Sequence, residues 1–162
     1  MLQLFLFLHV MGAIVVFGPS FAFPFLGAQV QKTPQHGHFA AVVAEIIERR
    51  LIVPGAIVQG ITGVALILIA NRDLTAAANR WLGGAIILYL IAVLFAIFVQ
   101  SKNAAKLVEL TANMPPGPPP SGAPAGPPPE IAATGKKLAQ GGQILSVLLV
   151  LIVFLMVVKP GA

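Results

Sequence analysis

Hydrophobic and polar positions alternate along this chain in blocks, not residue by residue. Four uncharged apolar stretches, Met1–Val30, Leu51–Ala70, Trp81–Val99 and Leu138–Val158, make up more than half of the 162 residues. A hydrocarbon core about 30 Å thick takes roughly 20 helical residues to cross, so each block is long enough for one passage. The pattern predicts an all-α protein: a four-transmembrane-helix antiparallel bundle, forming a single integral membrane domain over 1–162 with helices near 1–29, 39–70, 81–113 and 131–158.

Details inside the blocks refine these elements. Gly18-Pro19 and Pro24 fall within the first stretch and predict a kink or an early end, because proline lacks a backbone donor and clashes with the preceding turn. QKTPQHGH at 31–38 reads as a polar turn. Phe39–Arg50 then reads FAAVVAEIIERR, with apolar positions 39, 42, 43, 46 and 47 on one helical face and Glu45 four residues before Arg49. The second helix therefore starts ahead of the membrane, and Pro54 predicts a kink early in its membrane part. Trp81, a residue favoured at the membrane interface, opens the third apolar block, and helical character runs on through SKNAAKLVELTAN to Asn113. Residues 115–129 hold nine of the fourteen prolines and read as an extended, semi-rigid Pro-rich connector before the last helix. PxxP spacings occur in it, for which a spacer is the plainer explanation than a peptide motif.

Charge sets the orientation. Arg72, Arg80 and Lys159 belong to one side; Lys32, Arg49, Arg50, Lys102, Lys106, Lys136 and Lys137 belong to the other. The positive-inside rule places the side with seven in the cytoplasm, with both termini outside the cytoplasm and the extensions of helices 2 and 3 inside. No Lys or Arg precedes Lys32, and the apolar run continues past Ala22, so the first segment reads as a retained helix of a multi-pass protein of the cell (inner) membrane, not as a cleaved signal.

Composition agrees. Hydrophobic residues are 57% and charged residues 9% of the chain, with a mean hydropathy of +0.92. A soluble domain carries about 25% charged residues. The net charge of +5 belongs with lipid headgroups and topology, not with nucleic acid. There is no cysteine, which excludes disulfides, thiolate metal sites and a cysteine nucleophile.

Candidate chemistry is sparse. His9 is the one ionisable side chain inside the first apolar block, and such residues are functional candidates by default. Neutral imidazole suits haem iron or copper; the plainer alternative is a histidine hydrogen-bonded to another helix. Met156, in the same outer half as Met11 and Lys159, is the one second ligand worth naming for a His/Met haem pair, against packing as the ordinary role of methionine. His36 and His38 form an H-x-H pair expected in a solvated loop. Glu45, Glu48, Glu109 and Glu130 lie at the cytoplasmic end beside Lys or Arg and read as solvated helix-end charges, with Asp73 in a connector. No catalytic residue is named. Ala56-x3-Gly60, Gly63, Gly83-Gly84 and Gly141-Gly142 predict close helix packing.

Leu8–Gly18 (LHVMGAIVVFG) and Leu155–Pro160 (LMVVKP), with Pro54-Gly55 and Thr62-Gly63, resemble the DUF2269 family of predicted integral membrane proteins. That resemblance covers the four-helix layout and implies membrane class without an activity. The first-helix histidine is also distantly similar to that of CopD-like copper-resistance proteins and HemJ-type protoporphyrinogen oxidases, which would make His9 a ligand of haem b or a metal. Two readings follow. One is a non-catalytic accessory or assembly subunit with membrane-protein partners or a second copy of itself. The other is a b-type haem- or metal-binding protein that uses His9 in electron transfer or haem-linked oxidation.

Overall fold

The computed structural model describes residues 1–113 and 126–161. It is an all-α bundle of four long helical rods, with no strand among the described residues. The first rod joins α1 (Leu2–Phe17) to α2 (Phe23–Lys32); the second joins α3 (Gly37–Ile47) to α4 (Val53–Ile69). The third joins α5 (Arg80–Phe95) to α6 (Ser101–Ala112), and α7 (Pro129–Val158) is the fourth. All four are long and apolar enough to cross a membrane. The Pro-rich connector expected over 115–129 lies mostly outside the described residues; Pro129 is the first residue of α7, where its missing N–H costs nothing.

The joints explain where the prolines went. Gly18–Ala22 is a 3-10 turn with Pro19 near its start, and Pro24 stands in the first turn of α2. The polar segment at 31–38 is not the open turn its composition suggests. The chain leaves helical geometry at Thr33, makes a 3-10 turn over Pro34–His36 and is helical again from Gly37. Between α3 and α4 the chain widens into a π-helical turn, Glu48–Ile52, and Pro54 follows in the first turn of α4. A proline in an unbroken α-helix would drive its ring into the carbonyl four residues back, so the wider turn accommodates it. A second π turn, Ala96–Gln100, joins α5 to α6.

Packing runs α1 on α4, α3 on α6, and α7 on α5 and α6. Small residues dominate the buried faces. On the second rod Ala40, Ala41, Glu48, Ile52, Ala56 and Gln59 are buried, whereas Phe39 and Ile46 are exposed. On the third rod Trp81, Leu82 and Ala85 are buried at the start of α5, and Ala96, Gln100, Ala104 and Thr111 continue the buried stripe. Of the apolar face at 39, 42, 43, 46 and 47, Phe39 and Ile46 therefore point outward, while Val42, Val43 and Ile47 are half-buried. Lipid tails are as apolar as leucine, so helices gain more from small residues that let backbones approach than from burying large ones.

The seven basic residues gather at one end of the bundle, where α3, α6 and the start of α7 meet, and Arg72, Arg80 and Lys159 stand at the other. At that second end Lys159 ends α7 in the left-handed conformation, and its ammonium lies 5.6 Å from the Trp81 ring centroid.

Candidate sites between the helices

His9 faces α4. Its Nδ1 is 2.8 Å from Thr62 Oγ1, and the Thr62 hydroxyl donates to the carbonyl of Gln59 at 3.0 Å. A hydroxyl has one proton, so the bonding network assigns the proton of His9 to Nδ1 and the lone pair to Nε2. Gln59, buried on α4, donates its amide to the carbonyl of His9 at 2.7 Å. The glycines here are seats for these side chains. A Cβ at Gly12 would sit 2.6 Å from Gln59 Oε1, and one at Gly63 would sit 3.3 Å from His9 Cε1.

A haem on His9 would need a slot between the helices, and the place for one is beside Gly12, one turn further on; the Gln59 amide fills that volume. Residues at this interface do not fit a haem between α1 and α4. Met156 is half-buried on α7, which packs on α5 and α6, so the structure places it on a different helix pair from His9. Met11 is exposed. Among the described residues no group of three or more His, Cys, Asp or Glu side chains could hold a metal ion.

The carboxylates at the basic end divide. Glu109 and Glu130 are exposed, and Glu130 pairs with Lys106 at 2.8 Å, tying the start of α7 to α6. Glu45 meets Arg49 at 3.7 Å, as the spacing predicts; with the Arg49 side chain 78% exposed the pair adds little stability. Glu48 departs from the reading of a solvated charge: it is 5% exposed. Its spacing from Ala40 and Ala41 puts it on the buried small-residue face of α3, and the π turn that starts with it brings it beside Ser101 on α6. That spacing, eight and seven residues, was the signal available in the sequence. Ser101 Oγ stands 3.5 Å from Glu48 Oε1 but donates to the carbonyl of Ala96 at 2.9 Å. Its one proton is committed there, which leaves a Glu48 carboxylate without a donor.

Gln100 closes the second π turn on its other side. It is buried, donates to the carbonyl of Leu138 at 3.0 Å, and lays its unpaired Oε1 against Gly141 of α7. His36 and His38 are both exposed, but only His38 bonds across to α6, at 3.0 Å from Thr111 Oγ1, while His36 stays on its 3-10 turn. Tyr89 of α5 crosses to α4 and donates to the carbonyl of Ala56, with Gly60 making room for its ring. In the 71–76 connector Asp73 accepts from the Thr75 hydroxyl at 2.7 Å and the Thr75 N–H at 2.8 Å. Both bonds favour the ionised form and hold this carboxyl below its ordinary value of 3.8.

Residues 3–160 match the model of a family described as predicted integral membrane protein, DUF2269. The chain belongs to the DUF2269 family. The match spans all four rods, so the bundle just described is the family's unit in this chain. Comparison with curated proteins and with solved structures gives no match. Membership fixes this DUF2269 protein as an integral membrane protein and leaves its activity to be argued from the sites.

Proposed function

We propose that this DUF2269 protein is a non-catalytic accessory or assembly subunit that packs beside a larger membrane complex. The observation that carries this reading is the paired extension of α3 and α6 beyond the apolar blocks. With their leading 3-10 turns the second and third rods (Pro34–Ile69 and Ala77–Ala112) are 36 residues each, about 54 Å at 1.5 Å per residue, against a hydrocarbon core of about 30 Å. Their extensions pack on one another, and the His38–Thr111 bond ties them together. Phe39 is 70% exposed on that extension, about 18 Å along the helix from Leu51, where the apolar block begins. Its place on a rigid post, clear of the apolar block, suits a protein partner. The seven-cation end is the cytoplasmic one by the positive-inside rule, so the post projects into the cytoplasm of a cell (inner) membrane.

Gentle detergent extraction followed by native sizing tests the reading. The expected result is co-migration with a larger assembly, lost in Phe39→Ser. A homogeneous small monomer with its own turnover would overturn it.

A second reading has one observation in its favour: the Nδ1–H tautomer leaves His9 Nε2 as a lone pair on a half-buried ring, and metal-bound histidines commonly donate their other ring proton in this way. On this reading a haem or metal reaches Nε2 from outside the α1–α4 contact. A Soret band in protein purified from haem-replete cells, absent in His9→Ala, supports it; colourless, folded protein refutes haem.

A further inference from the structure

At the level where the apolar blocks end, the second and third rods part to leave a cleft of about 340 Å³. It lies between the two π turns, and its lining includes Glu48, Arg49, Val53, Ile97, Ser101 and Lys102. The charged and apolar residues are ordered along it. Val53 and Ile97 belong to the membrane-facing part, whereas Glu48, Arg49, Ser101 and Lys102 lie just beyond the ends of the apolar blocks at Leu51 and Val99.

Glu48 is the unusual member. A carboxyl group with 95% of its surface removed from water stays ionised only with a charged or hydrogen-bonding partner. Ser101 cannot supply one, since its proton goes to Ala96, and Arg49 leans to Glu45 with most of its side chain in solvent. Lys102 is exposed beside the cleft and has no carboxylate partner among the described residues. The cleft thus holds one buried carboxyl group, which a cationic ligand would ionise, and one unpaired cation at a membrane–water boundary.

The geometry points to a phospholipid site for a zwitterionic headgroup that carries a primary ammonium, the phosphatidylethanolamine class, with the ammonium on Glu48 and the phosphate on Lys102. The N–H donors of a primary ammonium match an acceptor-only carboxylate. A quaternary ammonium is recognised by aromatic faces, and no aromatic residue lines this cleft. An anionic headgroup would bring its charge against Glu48. The acyl chains would continue along Val53 and Ile97 into the bilayer. The site is independent of the accessory-subunit reading: lipid retention is measured on the isolated protein, whatever partners it takes.

The test is native mass spectrometry of the purified protein released from mixed micelles holding equimolar dioleoyl phosphatidylethanolamine and dioleoyl phosphatidylcholine. The wild type should retain the ethanolamine lipid over the choline lipid by about tenfold, the worth of one charge-assisted hydrogen bond. Glu48→Gln, which keeps the shape and removes the charge, should bring that ratio close to one. Ala105→Phe fills the cleft from an exposed position on α6 and should abolish retention of both lipids, with helicity by circular dichroism confirming the fold of each variant. Equal retention of the two lipids by the wild type overturns the assignment, as does a preference that survives both substitutions. Displacement of the lipid by soluble O-phosphoethanolamine at equal concentration would also overturn it, since the site would then read the free headgroup and not the lipid.

Discussion

Replacing Gly60 by alanine should uncouple the second and third rods, and the size of the effect can be worked from the geometry. A Cβ at Gly60 would stand 2.6 Å from Tyr89 Oη, 3.2 Å from Cζ and 3.3 Å from Cε1. To reach ordinary contact the hydroxyl must retreat by about 0.8 Å, which takes it out of hydrogen-bond range of the Ala56 carbonyl. Interhelical hydrogen bonds in membranes are worth about 0.6 kcal/mol on average and up to about 1.7. Forcing an extra methyl into a filled site adds about 1–3 kcal/mol. Less up to about 1 kcal/mol of helix propensity gained, Gly60→Ala should therefore destabilise by about 1–4 kcal/mol, and Tyr89→Phe, which loses only the bond, by about 0.6–1.7 kcal/mol.

The double substitution separates this mechanism from a general intolerance of alanine. Phenylalanine has no Oη, so the shortest clash disappears and only the tight ring-edge contacts remain. Gly60→Ala with Tyr89→Phe should cost less than the sum of the single changes by about 1–2 kcal/mol. Unfolding by SDS titration from mild detergent micelles measures all three. Gly83→Ala is the control: a Cβ there meets nothing within 4 Å, so the change should be neutral or gain up to about 1 kcal/mol of helix propensity. Costs that add to within about 0.5 kcal/mol would refute the idea that Gly60 exists to seat Tyr89.

Three further outcomes are expected. Gln59→Ala should cost about 1–2 kcal/mol in the same titration, because it removes the bond to the His9 carbonyl and empties the hollow at Gly12; an unchanged midpoint would refute the seating argument. The Asp73 carboxyl is depressed in the folded protein, so its contribution is present above the unfolded value of 3.8 and is lost as pH falls through the lower folded value; protection of the Thr75 amide from hydrogen exchange should fall only in that acid window, and not at all in Asp73→Asn. Reporter fusions at Asn79 and Ala112 should label opposite sides of the membrane, Asn79 outside and Ala112 in the cytoplasm, and same-side labelling would overturn the orientation.

The membrane class and the four rods were legible because length and hydropathy dominate both. A run of twenty uncharged apolar residues has few alternatives to a spanning helix. Leu51–Ala70 and Trp81–Val99 therefore fall inside helices that the structure contains. The joints were less legible, because proline announces a disturbance without saying which kind: Pro19 sits in a 3-10 turn, and Pro54 follows a π turn. Neither π turn has a sequence signature as plain as a proline, and the one at Ala96–Gln100 contains none. Which way the apolar stripe faces was not legible, for a physical reason. Periodicity finds an apolar stripe, and in water that stripe points to the core; here Phe39 and Ile46 point away from it and Ala40 and Ala41 point in. Glu48 looked solvated because it stands beside Arg49 and Arg50 at the cytoplasmic end, yet it is buried with Ala40 and Ala41. His9 was found as an isolated polar residue, but Gln59 and Thr62, which decide its tautomer, are common enough in membrane helices to pass unnoticed.

The glycines give the bundle its logic. Small residues in membrane helices often let two backbones meet directly. In this chain several do something else: Gly12 receives Gln59, Gly55 receives Val16, Gly60 receives Tyr89 and Gly141 receives Gln100. In three of the four pairs the inserted side chain is polar and binds a carbonyl on the neighbouring helix: Gln59 at His9, Tyr89 at Ala56, Gln100 at Leu138. A helix carbonyl already accepts one bond within its own helix, and its second lone pair is what these side chains use. Each knob therefore fixes two things at once, the axial register through its glycine hole and the rotation through its carbonyl. Hydrophobic contact alone fixes neither inside a lipid phase. The pairs also span the assembly: Gln59 joins α1 to α4, Tyr89 joins α4 to α5, and Gln100 joins the third rod to α7. A chain of three polar knobs thus links four rods in order, and the paired extension of α3 and α6 is held at a defined angle because the rods below it are. That is the requirement for a post that presents Phe39 to a partner, and it is why the substitution at Gly60, far from that surface, should be felt there.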